Sequence, residues 1–304
     1  MLDCSPIQLF SGCKVNFGLR ITGVRANGYH ELDSVFYPLP YPRDTMTLRR
    51  VQRNGIRLSC ATPGIDPENN ILTKAYGIFA KVVGMSRGLD VVLRKRIPCG
   101  AGLGGGSGNA GALLRWLNEE RESPMDSRSL AELALAVGAD TPFFLQDSPC
   151  RVQGVGERLT PVATDLSGCC LVLVCPDLQV RTPQAYVAYD ALSASSNFFS
   201  GQSGLTKFLS RDREFPLFDI GWRIYSCDDL KNDLVNDLEA AVFPVYPQLA
   251  AIKAELIRLG ADAAGMSGSG SSLFGLFFRN RVGAAKKAAS ALRSGKGRVF
   301  LLRL

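Results

Sequence analysis

The sequence predicts an α+β protein of two lobes, with residues 1–168 in the first lobe and residues 169–304 in the second. Segments with a strand-like apolar pattern and segments with helical spacing follow one another without a regular βαβ repeat. A chain of 304 residues can bury one large core or two adjoining cores. The short apolar run at residues 171–175 lies near the predicted boundary and has the composition of a buried strand.

The first lobe is predicted to begin with strands. Residues 9–19 form an apolar, strand-like segment that one lysine, Lys14, interrupts. Residues 46–60 predict a hairpin, because Asn54-Gly55 is the residue pair that a type I′ turn favours. A helix is predicted over residues 71–83 and a strand over residues 89–94.

Two further helices are predicted in the first lobe. One contains residues 112–117. The other has an apolar stripe along one face and ends at Gly138. Either Ser127 or Ser129 can cap the second of these helices, Ser129 together with Glu132 three residues later. A turn and a hydrophobic strand at residues 143–145 are predicted to follow. The apolar stripe consists of Leu130, Leu133, Ala134 and Val137.

The second lobe is predicted to contain a surface loop, two helices and several strands. Residues 193–204 have the composition of the loop. A helix that runs to Gly260 carries Leu249, Ile252, Leu256 and Leu259 on one face. The remaining predicted segments are a small-residue loop at 265–272, a strand at 273–278, a helix at 283–292 and a strand at 298–302.

The most distinctive segment is the glycine-rich loop at residues 100–111, in which seven of twelve residues are glycine. A strand that turns through glycines into a helix points backbone N–H groups and the positive end of the helix dipole at one position, where phosphate binds. No Lys-Ser/Thr pair follows the glycines, and no βαβ repeat surrounds them, which excludes a Walker A loop and a dinucleotide fingerprint. A flexible linker is the alternative, although linkers seldom join an apolar strand to an apolar helix.

The composition excludes several other kinds of site. The chain has nine scattered cysteines, no C-x-x-C pair and a single histidine, His30. These residues do not favour a zinc site or a Cys-His dyad. No G-x-S-x-G elbow supports a serine nucleophile. No apolar run has the length of a membrane span and the N-terminus lacks a signal-peptide pattern, so we expect a cytoplasmic protein without a membrane partner.

The net charge of +7 suits an acidic partner such as a nucleotide, a phosphorylated substrate or a nucleic acid. The basic residues are dispersed, which argues against nucleic acid. The densest cluster, residues 94–96, directly precedes the glycine-rich loop. This cluster either is a solvated strand end or attracts phosphates.

Three polar residues could support phosphoryl transfer, which needs an anion site, a divalent metal, a group that orients the acceptor hydroxyl, and a cation. Ser107 either caps the helix after the loop or reaches a magnesium ion. Asp140 is the candidate base, and Lys14 is the candidate cation that would keep it ionised. An Asx-type turn and a surface lysine are the alternatives, since sequence alone does not bring these two residues into contact.

A tight turn is predicted at Asn27-Gly28-Tyr29-His30. Its two neighbouring rings either stack on a planar base or pack within the turn itself.

Together these segments resemble the GHMP kinase superfamily, named after galactokinase, homoserine, mevalonate and phosphomevalonate kinases. The features that carry the resemblance are the glycine-rich loop, Lys14-x-Asn16, the Asp140 turn and Ser267-Gly-Ser-Gly270. Within the superfamily, the segment Gly23-Val-Arg-Ala-Asn-Gly-Tyr-His30 is similar to the branch that phosphorylates 4-diphosphocytidyl-2-C-methyl-D-erythritol. Residues 14–19, 138–143 and 154–157 are similar to the same branch, and the order of all segments from about residue 5 onward matches it.

The resemblance implies a two-lobe GHMP kinase fold, with an N-terminal ribosomal-protein-S5-domain-2-like lobe and a C-terminal ferredoxin-like α/β lobe. It implies an ATP-dependent kinase with Mg²⁺ that acts on the 2-hydroxyl of its cytidine-diphosphate-linked acceptor, in the non-mevalonate route to isoprenoids. The implied partners are therefore ATP and a small-molecule substrate, and the oligomeric state stays open.

The resemblance also implies roles for single residues. Asp140 would take the proton from the attacking hydroxyl or orient it, and Lys14 would keep Asp140 ionised and offset charge on the transferred group. His30 would recognise cytosine, with Tyr29 and Tyr186 as aromatic neighbours, although the family usually has phenylalanine at position 186. The other implied substrate-binding residues are Asn16, Thr182, Ser267 and Ser269. The implied ATP-binding residues are Pro98, Gly100, Gly102, Leu103, Gly104, Gly105, Gly106, Ser107 and Asn109.

The glycine-rich loop departs from the family pattern at one position. The family usually has Gly-Gly-Gly-Ser-Ser-Asn-Ala, and here Gly108 replaces the second serine. The metal assignment then depends on Ser107 and backbone amides. Two alternatives to the implied function are another GHMP kinase, for mevalonate-like or homoserine-like substrates, and a non-catalytic basic protein that binds nucleotide or RNA.

Overall fold

A computed structural model describes residues 5–198, 230, 234–293, 295 and 297–304, with backbone only for residues 195–198. The chain divides into two compact units, each made of several segments. Unit 1 comprises Met1–Lys14, Phe36–Cys99 and Leu103–Leu159. Unit 2 comprises Val15–Val35, Gly100–Gly102 and Thr160–Leu304. The first two strands contribute residues to both units, whereas the boundary between residues 168 and 169 stays a prediction from sequence.

The strands of the N-terminal half form one six-stranded sheet with the order β3-β4-β2-β5-β6, in which β1 also pairs with β2. Strand β4 runs antiparallel to β2 and parallel to β3. The strands are β1 (Ile7–Val24), β2 (His30–Val51), β3 (Ile56–Cys60), β4 (Gly88–Arg94), β5 (Cys150–Gly154) and β6 (Arg158–Pro161).

The hairpin predicted over residues 46–60 is wrong. Residues of β2 and β3 do form strands, but β4 lies between them and pairs with both. Gly55 has the positive φ of a turn residue, +83°, and its carbonyl accepts a hydrogen bond from the N–H of Leu89 at the start of β4. The turn therefore places β3 beside β4, on the side opposite to β2, although β4 comes later in the sequence.

Three helices of unit 1 form its core with strands of the sheet. Helix α1 (Ile71–Val83) begins after Asn70, whose side chain accepts from the N–H of Leu72, and ends at Gly84, as the helical spacing predicts. Helices α2 (Gly105–Glu119) and α3 (Ser127–Val137) follow. The shared core includes Met46, Leu48, Leu72, Phe79, Val91, Leu113, Leu114 and Leu133.

Two local predictions in this region are wrong. Asp126, and neither Ser127 nor Ser129, caps α3, because its carboxylate accepts from the N–H groups of Arg128 and Ser129. The predicted hydrophobic strand after Asp140 is a 3₁₀ helix, Pro142–Leu145. Proline at its first position fixes a helical φ, which favours this turn over an extended segment.

Unit 2 contains a four-stranded antiparallel sheet with the order β10-β7-β9-β8. Its strands are β7 (Cys170–Cys175), β8 (Ala263–Met266), β9 (Leu273–Phe277) and β10 (Arg298–Arg303), and its helices are α4 (Thr182–Phe198), α5 (Glu239–Val245), α6 (Pro247–Arg258) and α7 (Val282–Leu292). The predicted stripe on α6 is buried at Leu249, Ile252 and Leu256. These side chains pack with strand residues such as Val172 and Phe277.

The surface loop predicted at residues 193–204 is wrong for its first half. Helix α4 continues through Phe198, so residues 193–198 are helical. Residues 199–204 lie outside the described part of the chain.

Two predictions from composition concern the state of the cysteines and the presence of membrane-spanning segments. Seven cysteines among the described residues are free thiols, and five of them are buried. Burial raises the pKa of Cys150 and Cys175 to about 11, as expected for thiols that act as small apolar side chains. Within the described ranges, no helix has the length and apolar character needed to cross a bilayer.

Candidate active site

Lys14 and Asp140 meet in unit 1, although 126 positions separate them in the sequence. The Lys14 Nζ lies 3.7 Å from the Asp140 Oδ2. Lys14 is buried in β1 with 3% of its surface exposed, whereas the Asp140 side chain is 35% exposed in the turn between α3 and the 3₁₀ helix. The surface position considered for Lys14 is therefore wrong, and the carboxylate is the member of the pair that reaches solvent.

The Lys14 ammonium group is buried beside an aromatic ring. Its Nζ lies 4.5 Å from the centroid of the Phe36 ring, an arrangement in which the ring face stabilises a cation. Burial lowers the pKa of Lys14 below its ordinary value of 10.5, and the Asp140 carboxylate opposes this shift. A cation held in this way is poised to interact with charge that develops on a neighbouring group.

The unit 1 part of the glycine-rich loop leads directly into α2. Gly104 has φ +66° and occupies the N-cap position of this helix without a side-chain capping bond. Ser107 lies inside the first turn, so its predicted alternative role as a helix cap is wrong. Because no side chain caps the first turn, its N–H groups are suited to phosphate oxygens, and the loop fits the nucleotide that the sequence predicts.

Close packing explains why the first glycines have no side chains. A Cβ at Gly104 would lie 2.9 Å from the Phe144 ring and 3.3 Å from the Cγ of Lys14. A Cβ at Gly105 would lie 2.7 Å from the Cγ2 of Ile97. The same backbone that would meet the phosphates is therefore pressed against the buried lysine.

The remaining predicted ATP-binding residues of unit 1 have defined partners or positions. The backbone N–H of Lys14 donates to the carbonyl of Leu103 over 3.0 Å, which joins β1 to the loop. Asn109 is buried and accepts a hydrogen bond of 2.5 Å from the hydroxyl of Ser11. Pro98 is half-buried, and Gly106 is exposed.

The basic cluster before the loop includes an ion pair that the sequence did not predict. Lys95 pairs with Asp44, which is fully buried. The second oxygen of Asp44 accepts from the N–H groups of Arg96, over 2.7 Å, and of Ile97, over 2.9 Å. Asp44 thus fixes the segment that enters the loop, while Arg94 and Arg96 are exposed.

In unit 2, Asn16 and Ser267 form a buried polar group with the loop residue Gly102. The N–H of Asn16 donates to the Ser267 Oγ over 3.3 Å, and the Ser267 hydroxyl donates to the carbonyl of Gly102 over 2.9 Å. The Asn16 Nδ2 donates to the hydroxyl of Ser34 over 3.0 Å. Two predicted substrate-binding residues and one predicted ATP-binding residue therefore meet in this unit.

The small-residue loop predicted at residues 265–272 begins only at residue 267, because Gly265 and Met266 belong to β8. The loop, residues 267–272, is held by a residue that the sequence did not indicate. The Nδ2 of Asn236 donates to the carbonyls of Met266, over 2.8 Å, and Gly268, over 2.7 Å. Ser269 of this loop lies 2.8 Å from the hydroxyl of Thr182, at the start of α4. The loop thus carries two of the predicted substrate-binding residues, Ser267 and Ser269, and Ser269 contacts a third, Thr182, on α4.

His30, the start of β2, faces α4 in unit 2. Its ring stacks on Tyr186, with centroids 4.6 Å apart and planes inclined by 26°. Its Nε2 lies 2.7 Å from the Oδ1 of Asp190, another residue that no sequence motif indicated. Asp190 follows Tyr186 by one helical turn, and this i, i+4 spacing is the signal that could have indicated it. Tyr29, in the preceding turn, is 64% exposed.

Known proteins with similar sequences and structures agree on one family. The models of the GHMP kinases N terminal domain and of the GHMP kinases C terminal match residues 70–147 and 226–296. The 4-diphosphocytidyl-2-C-methyl-D-erythritol kinase of Lawsonia intracellularis is 40% identical over 288 residues, or 91% of this chain and 90% of the relative. That of Nitratidesulfovibrio vulgaris (strain DP4) is 41% identical over 297 residues, or 97% of both chains.

A solved structure gives the same result. The crystal structure of 4-(cytidine 5'-diphospho)-2C-methyl-D-erythritol kinase matches this chain with a TM-score of 0.75 and 31% identity, over 97% of this chain and 98% of the other. The chain belongs to the 4-diphosphocytidyl-2-C-methyl-D-erythritol kinase family of the GHMP kinases. The predicted superfamily, its α+β two-lobe fold and the phosphotransferase class are thereby confirmed. The roles of the single residues stay predictions.

The glycine at position 108, where this kinase family usually has serine, gives a testable prediction. A Cβ at Gly108 would lie 2.9 Å from the carbonyl oxygen of Gly12 in β1 and 3.3 Å from the Phe144 ring. We expect Gly108→Ser to lower the free energy of unfolding by about 1–3 kcal/mol, as measured by urea denaturation, because the backbone of β1 must move.

Gly106→Ser is the matched control, since a Cβ there has only the Cγ2 of Ile71 as a neighbour, at 3.6 Å. It should leave stability within about 0.5 kcal/mol of wild type. Equal stability of the two variants would contradict the close approach of Gly12 and Gly108.

Asn236 gives a second prediction. Asn236→Ala removes the donor for the carbonyls of Met266, at the end of β8, and of Gly268, in the loop, and the acceptor for the N–H of Leu238. Because Asn236 is 3% exposed, water does not readily replace these bonds, and we expect unfolding to become easier by about 1–3 kcal/mol in urea. The exposed Asn69, whose side chain donates to the nearby Asp66, is the control. A loss no larger than that of Asn69→Ala would show that Asn236 does not hold the loop.

Proposed function

We propose that this chain transfers the γ-phosphoryl group of ATP to the 2-hydroxyl of 4-diphosphocytidyl-2-C-methyl-D-erythritol. The observation that carries the proposal is the pair of Lys14 and Asp140 next to Gly104 of the glycine-rich loop, in a member of this kinase family. Phosphoryl transfer depends on positioning and electrostatics, and this pair supplies one cation and one partly exposed carboxylate at a phosphate-binding loop.

The proposed step uses both side chains. Asp140 accepts a hydrogen bond from the acceptor 2-hydroxyl and takes its proton as the oxygen attacks the γ-phosphorus of ATP. A new P–O bond forms to the acceptor, the bond from the γ-phosphorus to its bridging oxygen breaks, and ADP leaves. Lys14 stabilises the carboxylate before the step and the negative charge on the phosphoryl oxygens during it.

The phosphates of ATP are proposed to bind at the first turn of α2. The uncapped N–H groups from Gly105 onward and the helix dipole favour this position. Ser107 would supply a hydroxyl to Mg²⁺, which takes most of its ligands from phosphates and water. The metal would neutralise charge on the β- and γ-phosphates.

The acceptor is proposed to bind through residues of unit 2. Asn16 would hydrogen-bond the methylerythritol end, and Ser267, Ser269 and Thr182 would face its diphosphate. His30 and the rings of Tyr29 and Tyr186 would bind the cytosine. This arrangement is supported by the stacking of His30 on Tyr186 and by the bonds that fix Asn16 and Ser267.

The proposal extends to location and partners. We place the enzyme in the cytoplasm, with ATP and the cytidine-diphosphate substrate as its partners and without nucleic acid. These statements stay predictions.

The deciding experiment is ATP turnover by the purified chain with Mg²⁺, with and without 4-diphosphocytidyl-2-C-methyl-D-erythritol. Turnover that requires this acceptor and does not occur with mevalonate or homoserine supports the proposal. Turnover with mevalonate or homoserine alone would assign another GHMP kinase activity. Nucleotide binding without turnover would remove Lys14 and Asp140 from their proposed roles.

Replacement of the proposed base should reduce the rate strongly. We expect Asp140→Asn to lower kcat by about 10²–10⁴, because the amide cannot accept the proton. Asp147→Asn is the matched control, since the Asp147 side chain is 87% exposed and pairs with Arg115 at the surface. Steady-state kinetics of both variants, with circular dichroism to confirm folding, make the comparison. Similar rates for Asp140→Asn and wild type would exclude Asp140 as the base.

Replacement of Lys14 should lower activity but raise stability at neutral pH. The pKa of Lys14 is lower in the folded protein than in the unfolded chain. Burial of the charged group therefore lowers the free energy of unfolding at neutral pH, and this penalty decreases as the pH rises toward 10.5. We expect Lys14→Met to lower kcat by about 10²–10³ and to be more stable than wild type at pH 7. Its advantage in free energy of unfolding should shrink as pH increases from 7 to 10. Lys287→Met, at an exposed lysine, is the control. A stability difference that does not change with pH would contradict the assigned burial cost.

A further inference from the structure

We propose that Asp190 is a positioning residue that makes His30 selective for a pyrimidine with an amino group, so that cytosine is bound in preference to uracil. The inference rests on the proposed function, because it concerns the base of the acceptor substrate. Asp190 determines which ring nitrogen of His30 carries the proton.

The imidazole of His30 is held from several directions. Its Nε2 meets the Oδ1 of Asp190 at 2.7 Å, its face lies on Tyr186, and Tyr189 contacts it edge-on at 6.4 Å between centroids. Only 8% of the His30 side chain is exposed, compared with 52% of the Asp190 side chain. Asp190, Tyr189 and Tyr186 all belong to α4, so one rigid element fixes both the plane of the ring and its rotation.

The bond to Asp190 determines the tautomer of neutral His30. An ionised carboxylate has acceptors only, so the Nε2 must carry the hydrogen that it receives. In the neutral ring the Nδ1 then has a lone pair and acts as an acceptor. The hydrogen bond to Asp190 occupies the Nε2, which leaves the Nδ1 as the nitrogen that can meet a ligand.

An acceptor at this position distinguishes the two common pyrimidines. Cytosine has an exocyclic amino group, a donor, at the position where uracil has the O4 carbonyl, an acceptor. The Nδ1 lone pair can accept from the amino group and is repelled by the carbonyl. A nearly buried ring that cannot rotate keeps this preference, because an unmatched polar group there is costly.

The single histidine of the chain makes a direct test possible. Untagged protein labelled with ¹⁵N-histidine gives one pair of ring nitrogens, and long-range ¹H–¹⁵N spectra recorded at increasing pH, until the nitrogen shifts no longer change, report which nitrogen of the neutral ring is protonated. We expect the Nε2–H form in wild type. In Asp190→Asn the amide can either accept from or donate to the Nε2, so both tautomers should appear. Identical spectra for the two proteins would overturn the assignment.

The second test is base preference. The ratio of kcat/KM for the cytidine substrate to that for its uridine analogue is measured for wild type and Asp190→Asn. We expect this ratio to fall by about tenfold, mainly through KM and with kcat nearly unchanged, as for the loss of one matched hydrogen bond. An unchanged ratio would overturn the proposal.

Glu31→Gln is the matched control. Glu31 neighbours His30 in the sequence and pairs with Arg25 over 3.0 Å, so this variant removes the same charge without touching the imidazole bond. It should keep both the wild-type tautomer and the wild-type base ratio. If Glu31→Gln reduces the ratio as much as Asp190→Asn, net charge and not the tautomer determines the preference, and the proposal is wrong.

The two tests also separate this inference from the proposed function. Absence of turnover with the cytidine substrate in wild type would reject the proposed function, whereas the spectra would still decide whether Asp190 fixes the tautomer. Turnover with a normal cytosine preference but identical spectra would reject the role of Asp190 alone.

Discussion

The buried ammonium group of Lys14 is the constraint on which the arrangement of unit 1 depends. Moving such a charge out of water is costly unless other groups stabilise it. Here Asp140 and the ring of Phe36 do so. The turn after α3 must therefore bring Asp140 within ion-pair distance. Gly104 lies against the same lysine, and a Cβ there would be 2.9 Å from the Phe144 ring and 3.3 Å from the Cγ of Lys14. One side chain thus couples a strand, a turn and the glycine-rich loop.

The burial that makes the Lys14 charge costly also suits it to phosphoryl transfer. Burial lowers the pKa of Lys14, which shows that the folded protein stabilises its charge less well than water does. A cation that water does not surround interacts more strongly with new negative charge. Asp140, in contrast, is partly exposed, so a hydroxyl can reach it. The different exposure of the two partners suits an electrostatic role for one and proton transfer for the other.

Local signals in the sequence predicted most elements, and contacts with distant segments determined the exceptions. Helix α1 could be predicted because its apolar spacing and its terminal glycine both lie within the helix or next to it. The hairpin at residues 46–60 could not, because β4, about thirty residues later, takes the place between its two strands. The cap of α3 was predicted at Ser127 or Ser129, and only the geometry selects Asp126.

The candidate site divides in the same way. Residues at motif positions, such as Lys14, Asp140 and His30, could be named from sequence because their chemistry and the resemblance both indicated them. The residues that hold the two loops and the His30 ring could not, since Asp44, Asn236 and Asp190 are ordinary polar residues until the fold brings their partners to them. For His30 this difference matters, because the residue type offers two tautomers and only a neighbour selects one. The specificity of such a site therefore depends on a residue that no motif contains.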